Sequence, residues 1–149
     1  MVSLFERLER ELVDARRRRD ELALNTLGLL KSEVVRASKE PGSSAVDDAL
    51  VTRVAQREVK RRDEAAAAYR SAGRAASAER EDAEAELIRG YLPAALSDDE
   101  LERELRGVIA EVNPEGPQAF GQVMKAATTR LAGRAEGARI AATAKRLLG

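Results

Sequence analysis

Apolar residues recur at spacings of three and four along most of the chain, and no stretch keeps the alternation that is typical of a strand. Because this spacing places apolar side chains on one face of a helix, it predicts an all-α protein. Four helices are predicted in the first part of the chain: residues 3–15, residues 23–37, a long one from about Val46 to Ala72, and one from about Ala75 to Leu92 that Pro93 ends.

Two polar stretches separate these predicted helices. In the segment SKEPGSSAVDD, residues 38–48, Pro41 and Gly42 break the helix, and the Ser and Asp residues offer caps for the next one. The run Arg16–Arg19 falls between the first two predicted helices and is flanked by acidic residues. We therefore interpret this run as a solvated turn.

The strongest helix start in the chain lies at Ser97. Ser97 and Glu100 form the S-x-x-E pattern of a capping box, and Leu96 and Leu101 occupy the two positions of a hydrophobic staple. This signal divides the chain into a helical N-terminal domain, residues 1–93, and a C-terminal domain, residues 94–149.

Three short amphipathic helices follow that start. The first carries an apolar stripe from Leu101 to Val112, and the second has Pro117 in its first turn. Gly133 is predicted to adopt the left-handed conformation at the end of the second helix. The inward residues of the second and third helices are predicted to be Phe120, Val123, Met124, Ala127, Leu131, Ile140, Ala144 and Leu147. The predicted fold is therefore a helical N-terminal part of about four helices and a C-terminal three-helix bundle.

Composition narrows the chemistry that the chain can perform. The 149 residues include no Cys and no His, which excludes disulfides, thiolate nucleophiles, His general bases and ordinary zinc sites. Glu81 and Glu84 stand one helical turn apart and would hold a divalent cation if two further oxygen ligands joined them. The favoured interpretation is a solvated acidic face paired with Arg80 and Arg89. We expect no catalytic residue, no metal and no cofactor.

Charges are balanced overall, at 26 basic and 26 acidic residues, but they are unevenly distributed. Residues 98–112 hold six acidic and two basic residues, whereas residues 113–149 hold six basic and two acidic ones. A second basic group recurs at turn spacing on the long helix and consists of Arg53, Arg57, Lys60 and Arg61. Basic surfaces of this kind are typical of phosphate-backbone binding. From the charge pattern alone, the favoured interpretation is nevertheless that these residues are solvated and locally paired.

Glycines punctuate the C-terminal basic segment. Gly121 falls in the first turn of a predicted helix, where glycine costs about 1 kcal/mol relative to Ala. Either close helix packing or the close approach of a partner to the backbone must compensate, and physical reasoning alone favours packing. Gly133 and Gly137 lie beyond the other end of that helix, and exposed N–H groups at these helix ends would suit a phosphate.

Three segments, KRRDEAAAAYRSAGR, EAELIRGYLPAALSDDEL and FGQVMKAATTRLAGRAEG, occur in the order and spacing of the GatB/YqeY family. The most specific parts are the step Tyr91-Leu92-Pro93 and the glycine motifs around Gly121 and Gly133. Over essentially the whole chain the sequence resembles the stand-alone YqeY-like proteins. These are similar to the tail of the GatB subunit of tRNA-dependent amidotransferases and to modules appended to some glutaminyl-tRNA synthetases.

The resemblance implies a two-part helical protein whose tail contacts the outer corner of tRNA and lacks the glutaminase and phosphorylating sites. Carried over to the matching positions of this sequence, the tRNA-binding residues are Gly121, Gln122, Lys125, Gly133, Arg134 and Gly137, with Lys60 and Arg62 on the long helix. The charge pattern adds Arg130 and Arg139 as phosphate contacts.

The leading hypothesis is a non-catalytic tRNA-binding module associated with glutamine-dependent tRNA amidation, a carbon–nitrogen ligase system. Its partners would be tRNA and an amidotransferase or an aminoacyl-tRNA synthetase, without DNA specificity. The alternative is a protein–protein adaptor that docks a translation-related partner through the acidic helix of residues 97–112. A glutamine-using ligase acting by itself is the least favoured hypothesis. The chain has no run of 18 apolar residues and no apolar N-terminal segment, so we expect a cytoplasmic protein that does not cross a membrane.

Overall fold

The computed structural model describes residues 2–42 and 45–149, and no β-strand occurs among them. The all-α prediction is confirmed. The α-helices in this part of the chain are α1 (Leu4–Arg18), α2 (Glu21–Ser38), α3 (Asp48–Ser71), α4 (Ala75–Arg89), α5 (Asp98–Val112), α6 (Ala119–Arg130) and α7 (Gly137–Leu148). They belong to two compact units, of which the first ends at Leu92 and the second runs from Pro93 to Gly149.

Side-chain caps set where the first three helices begin. The side chains of Ser3, Asp20 and Asp47 each accept a hydrogen bond from a backbone N–H group in the first helical turn, at 3.1, 3.1 and 2.9 Å. These bonds satisfy donors that have no partner inside the helix. Because Asp47 is the cap, α3 begins after it rather than at the predicted Val46. Within the predicted loop, Ser43 and Ser44 lie outside the described residues, as does Met1 at the N-terminus.

The arginine run corrects one prediction. Arg16–Arg18 form the last turn of α1, and only Arg19 leaves the helix, at φ 57°. Basic residues in a last turn interact favourably with the negative end of a helix, and Nε of Arg18 lies 3.1 Å from Oδ2 of Asp14. The run is exposed, as predicted, but the turn begins only at Arg19.

The helices α1–α4 enclose the core of the first unit. Ala23, Leu27, Leu30, Val34 and Ala37 of α2 are buried in it, and Leu8 and Ala15 of α1 join them. The chain leaves α4 at Arg89, three residues before the predicted end, and the turn that follows carries Tyr91 into this core. The remaining buried members of the core are Leu50, Val51, Val54, Ala55, Val59 and Ile88.

The second unit begins with the predicted capping box. Oγ of Ser97 accepts from the Glu100 N–H, and the Glu100 carboxylate accepts from the Ser97 N–H, both at 3.1 Å. A short 3-10 turn over Gly116–Gln118 precedes α6, so Pro117 lies in that turn rather than in α6. Gly133 has the predicted left-handed conformation, at φ 78°. The helices α5–α7 share a core of Leu96, Leu101, Leu105, Val108, Val123, Ala127, Leu131, Ala135, Ile140 and Ala144.

Candidate nucleic-acid interface

One side of α6 is exposed to solvent and lies opposite the buried Val123 and Ala127. A shallow depression of about 390 Å³ runs along this side and is lined by Pro117, Gln118, Gly121, Gln122 and Lys125. The last three of these residues are predicted tRNA contacts, so the structure brings them together. We refer to the five lining residues as the α6 face.

The α6 face carries a positive charge without a neutralising partner. Lys125 is exposed, and within residues 2–42 and 45–149 no carboxylate oxygen lies within 4.0 Å of its ammonium group. The first turn of α6 contains no acidic residue, and Gln118 before it forms no side-chain cap. The N–H group of Ala119 donates to the Gly116 carbonyl in the preceding 3-10 turn, so the attraction of this face for an anion rests on the Lys125 charge and the positive end of the helix.

Gly121 leaves the backbone of the α6 face open. A Cβ atom added there would meet no atom within 4 Å, and the backbone is not in the left-handed region. The favoured explanation for this glycine, close helix packing, is therefore wrong, because nothing in the second unit approaches it. The other explanation given for this glycine, the approach of a partner to the backbone, stays a prediction.

The acidic helix α5 neutralises much of the basic C-terminal segment. Arg130 lies 3.0 Å from Glu111 and 3.8 Å from Glu104, and Arg146 lies 2.9 Å from Glu102. The hydrogen bond from Arg146 is the main cause that lowers the pKa of Glu102. These ion pairs agree with the local pairing that the charge pattern alone favoured, and they weaken Arg130 as a predicted phosphate contact. They also occupy Glu102, Glu104 and Glu111, three of the six acidic residues on the helix that the adaptor hypothesis assigned to a partner.

Three further residues that were predicted to contact tRNA, namely Arg139, Arg134 and Gly133, lie against the start of α5. Nη2 of Arg139 donates to the Leu96 carbonyl at 3.1 Å and to Oδ1 of Asp98 at 2.8 Å. The Leu96 N–H group donates to the Arg134 carbonyl at 2.9 Å. Gly133, which directly precedes Arg134, is buried. The motif around Gly133 thus has a structural role that its spacing did not reveal.

Two candidates remain partly accessible away from the depression. Gly137 is the first residue of α7; a Cβ added there would also meet nothing within 4 Å, and Glu136 forms no side-chain cap. The Arg134 side chain is half-buried. Hydrogen bonds with Ser97 lower the pKa of Glu100, and the charge of Arg134 adds a smaller effect in the same direction.

Lys60 and Arg62 belong to the first unit and differ sharply in exposure. Lys60 is exposed, whereas Arg62 is only 7% exposed. Nη1 of Arg62 lies 2.8 Å from Oε1 of the buried Glu58, and its Nε lies 3.7 Å from Glu84. The predicted role of Arg62 as a tRNA contact is therefore corrected, because its guanidinium is enclosed by the helices and committed to carboxylates.

The pair Glu81 and Glu84 is half-buried rather than solvated. Burial, and next the charge of Glu84, raises the pKa of Glu81. Arg89 pairs with Asp63 at 2.6 Å, so the predicted pairing of this acidic face with Arg89 is wrong. Across the described ranges 2–42 and 45–149, no three acidic side chains come together in a way that would hold a metal ion.

A polar cluster joins α1 to the end of α4, and no sequence motif had indicated it. The Tyr91 hydroxyl donates to Oε1 of Glu11, and the Arg7 guanidinium stacks on the Tyr91 ring at 4.2 Å while donating to the Gly90 carbonyl. Burial, and next the hydrogen bond with Glu11, raises the pKa of Tyr91, so the hydroxyl stays protonated and acts as a donor. The step Tyr91-Leu92-Pro93 had indicated a helix end and a family motif, but not this cluster.

Comparisons with known proteins cover both units. A family model described as Yqey-like protein matches residues 5–148. The chain is also similar to the "Altered inheritance of mitochondria protein 41, mitochondrial" of Pyrenophora tritici-repentis (strain Pt-1C-BFP), with 27% identity over 132 residues that cover 87% of this chain and 71% of that protein. Among the described residues, no helix combines the length and the apolar character needed to span a bilayer.

Proposed function

The chain belongs to the YqeY-like protein family, and from this premise we propose that it is a non-catalytic module that binds tRNA in the system of glutamine-dependent tRNA amidation. The observation that carries the proposal is the α6 face, where an open glycine backbone lies beside the unpaired Lys125. The protein partner would be an amidotransferase or an aminoacyl-tRNA synthetase. The compartment would be the cytoplasm.

The chemistry of the α6 face suits a sugar–phosphate backbone. Lys125 supplies a point charge for a phosphate, and the side-chain amides of Gln118 and Gln122 supply neutral donors and acceptors for phosphate or sugar oxygens. The face has no aromatic side chain on which a base would stack. Recognition would therefore rest on the shape and charge of a folded RNA rather than on base edges.

Gly121 gives this proposal a test in which two effects have opposite signs. The change Gly121→Ala should stabilise the second unit by up to about 1 kcal/mol, because Ala is the better helix former and its methyl group meets nothing. The same methyl group should weaken tRNA binding several-fold, because it occupies the approach to the backbone. Thermal unfolding followed by circular dichroism measures the first effect, and a gel-shift titration of tRNA at low salt measures the second.

Gly107→Ala is the matched control for this change. Gly107 lies inside α5, and a Cβ atom added there would also meet nothing within 4 Å. This variant should gain similar stability and bind tRNA like the unmodified chain. Lys125→Ala should reduce the magnitude of the negative slope of log K against log salt by about one unit, as expected for one lost phosphate contact.

Each outcome bears on a different part of the proposal. If the unmodified chain binds no tRNA at low salt, the proposed function fails. If the chain binds tRNA but Gly121→Ala and Gly107→Ala bind equally well, the α6 face is not the binding surface. A stable protein partner that persists after RNase treatment, together with absent tRNA binding, would favour the adaptor alternative.

A further inference from the structure

The outer side of α3 carries a second cationic surface, and this surface belongs to the first unit. Four exposed basic residues follow one another along it. We refer to them as the α3 ridge, which consists of Arg53, Arg57, Lys60 and Arg61.

Ion pairs leave most of the α3 ridge free. Among the described residues, no carboxylate oxygen lies within 4.0 Å of the charged groups of Arg53, Arg57 or Lys60. Arg61 alone has an ion pair, with Oε2 of Glu58 at 3.4 Å. Ion pairs hold Arg7, Arg18, Lys31, Arg36, Arg70 and Arg89 of the first unit, whereas Arg10, Arg16 and Arg17 resemble the ridge in having no carboxylate within 4.0 Å among the described residues. Local pairing, the interpretation that the charge pattern alone favoured, does not account for Arg53, Arg57 and Lys60.

The spacing of the ridge matches a polymer with repeated charges. An α-helix rises 1.5 Å per residue, so cations at positions 53, 57 and 60–61 recur about every 5–6 Å along the axis. Arg53 and Arg57 line a depression of about 440 Å³ together with Glu40 and Asp47, and Glu64 follows the array in the sequence. A row of cations at regular short intervals attracts a chain of phosphates more strongly than it attracts a single small anion.

We propose that the α3 ridge binds the sugar–phosphate backbone of an RNA strand. This inference rests on the proposed function and extends it, because it adds Arg53, Arg57 and Arg61 as contacts and gives the first unit its own part in RNA binding. Guanidinium groups suit this task, since their planar donor set binds phosphate oxygens in pairs.

The surroundings of the ridge argue against a protein or membrane partner. Within the described part of the chain, the large hydrophobic residues that are exposed are Val2, Val13 and Leu29, and none of them lies on α3. Protein interfaces are centred on buried aromatic and apolar anchors, and membrane-surface helices present an apolar side next to their basic one. The apolar side of α3 is instead buried in the core of the first unit.

A charge-matched pair of triple variants tests the ridge in the full chain. One variant carries Arg53→Ala, Arg57→Ala and Lys60→Ala. The other carries Arg10→Ala, Arg16→Ala and Arg17→Ala, which removes three exposed bases of α1 that also have no carboxylate within 4.0 Å among the described residues. The two variants have the same net charge, and circular dichroism checks that both remain folded.

Binding of labelled tRNA is titrated over a range of salt concentrations for both variants. The slope of log K against log salt is negative, and in the ridge variant its magnitude should fall by about two to three units, while affinity at low salt should fall at least roughly tenfold. The α1 variant should change the slope by less than about one unit.

Equal slopes for the two variants would overturn the ridge proposal. If tRNA binding then still depends on Gly121, the proposed function survives this failure. The ridge proposal would also be overturned if the ridge variant no longer co-purified with an acidic protein while its salt slope for tRNA stayed unchanged. The ridge would then be a protein-binding site. A chain that binds no tRNA at all would end both proposals.

Discussion

At the scale of single residues, Lys60 and Arg62 show how one short motif divides into two roles. The two positions are about 200° apart around α3, so Lys60 faces solvent while Arg62 lies beneath the helix against Glu58 and Glu84. The family resemblance matched both residues equally. Only the burial of each side chain separates a candidate RNA contact from a structural ion pair.

Removing Arg62 should therefore act on stability. Arg62→Ala leaves the carboxylate of Glu58, which is 1% exposed, without its main partner, and breaking a buried pair in this way costs about 3–5 kcal/mol. Urea unfolding followed by circular dichroism measures the loss. Lys60→Ala is the neighbouring control and should change stability by no more than about 0.5 kcal/mol. A loss below about 1 kcal/mol for Arg62→Ala would mean that the pair is not the buried link described above.

At the scale of elements, the helices follow from local patterns and their ends follow from caps. The predicted capping box at Ser97 is present in full because all of its atoms come from four consecutive residues. Helix ends without such a signal differ from their predicted positions: α1 runs to Arg18 instead of residue 15, and α4 ends at Arg89 instead of about Leu92. The left-handed Gly133 was predictable because few other residues tolerate that conformation.

Ser97→Ala should weaken the second unit. The change removes the acceptor for the Glu100 N–H, and such cap losses cost about 1 kcal/mol. We expect a lower midpoint in thermal unfolding, with helix content at low temperature unchanged. Ser32→Ala is the control, since Ser32 is exposed inside α2 and caps no helix. Equal midpoints for the two variants would indicate that the capping box does not contribute in solution.

The candidate site was less predictable than the helices, because ion pairs join residues that are distant in the sequence. Arg130 pairs with an acid 19 residues away, Arg139 with one 41 residues away and Arg146 with one 44 residues away. Counting charges in windows along the chain separates each of these bases from its partner. The sequence does not distinguish Lys125 from Arg130, Arg139 and Arg146. The fold does, because it shows that these three arginines have acidic partners.

At the scale of the whole molecule, the two units have separate hydrophobic cores, and each carries one candidate RNA-binding surface. The core of the first unit draws on α1–α4 and the residues after α4, and that of the second on α5–α7 with Leu96. The α3 ridge belongs to the first unit and the α6 face to the second. We propose on this basis that the units are domains that fold independently.

Cutting the chain between Leu92 and Pro93 tests this proposal and both surfaces together. Fragments 1–92 and 93–149 should each be helical and unfold cooperatively on heating, since each retains a complete core. Each should bind tRNA weakly, and their salt slopes should add up to roughly that of the full chain, because the phosphate contacts are divided between them. The full chain should bind more tightly than either fragment, since linking two sites makes the second contact intramolecular. If either fragment is unfolded alone, the two units are not independent domains; if one folds but does not bind, the surface on that fragment is not an RNA contact.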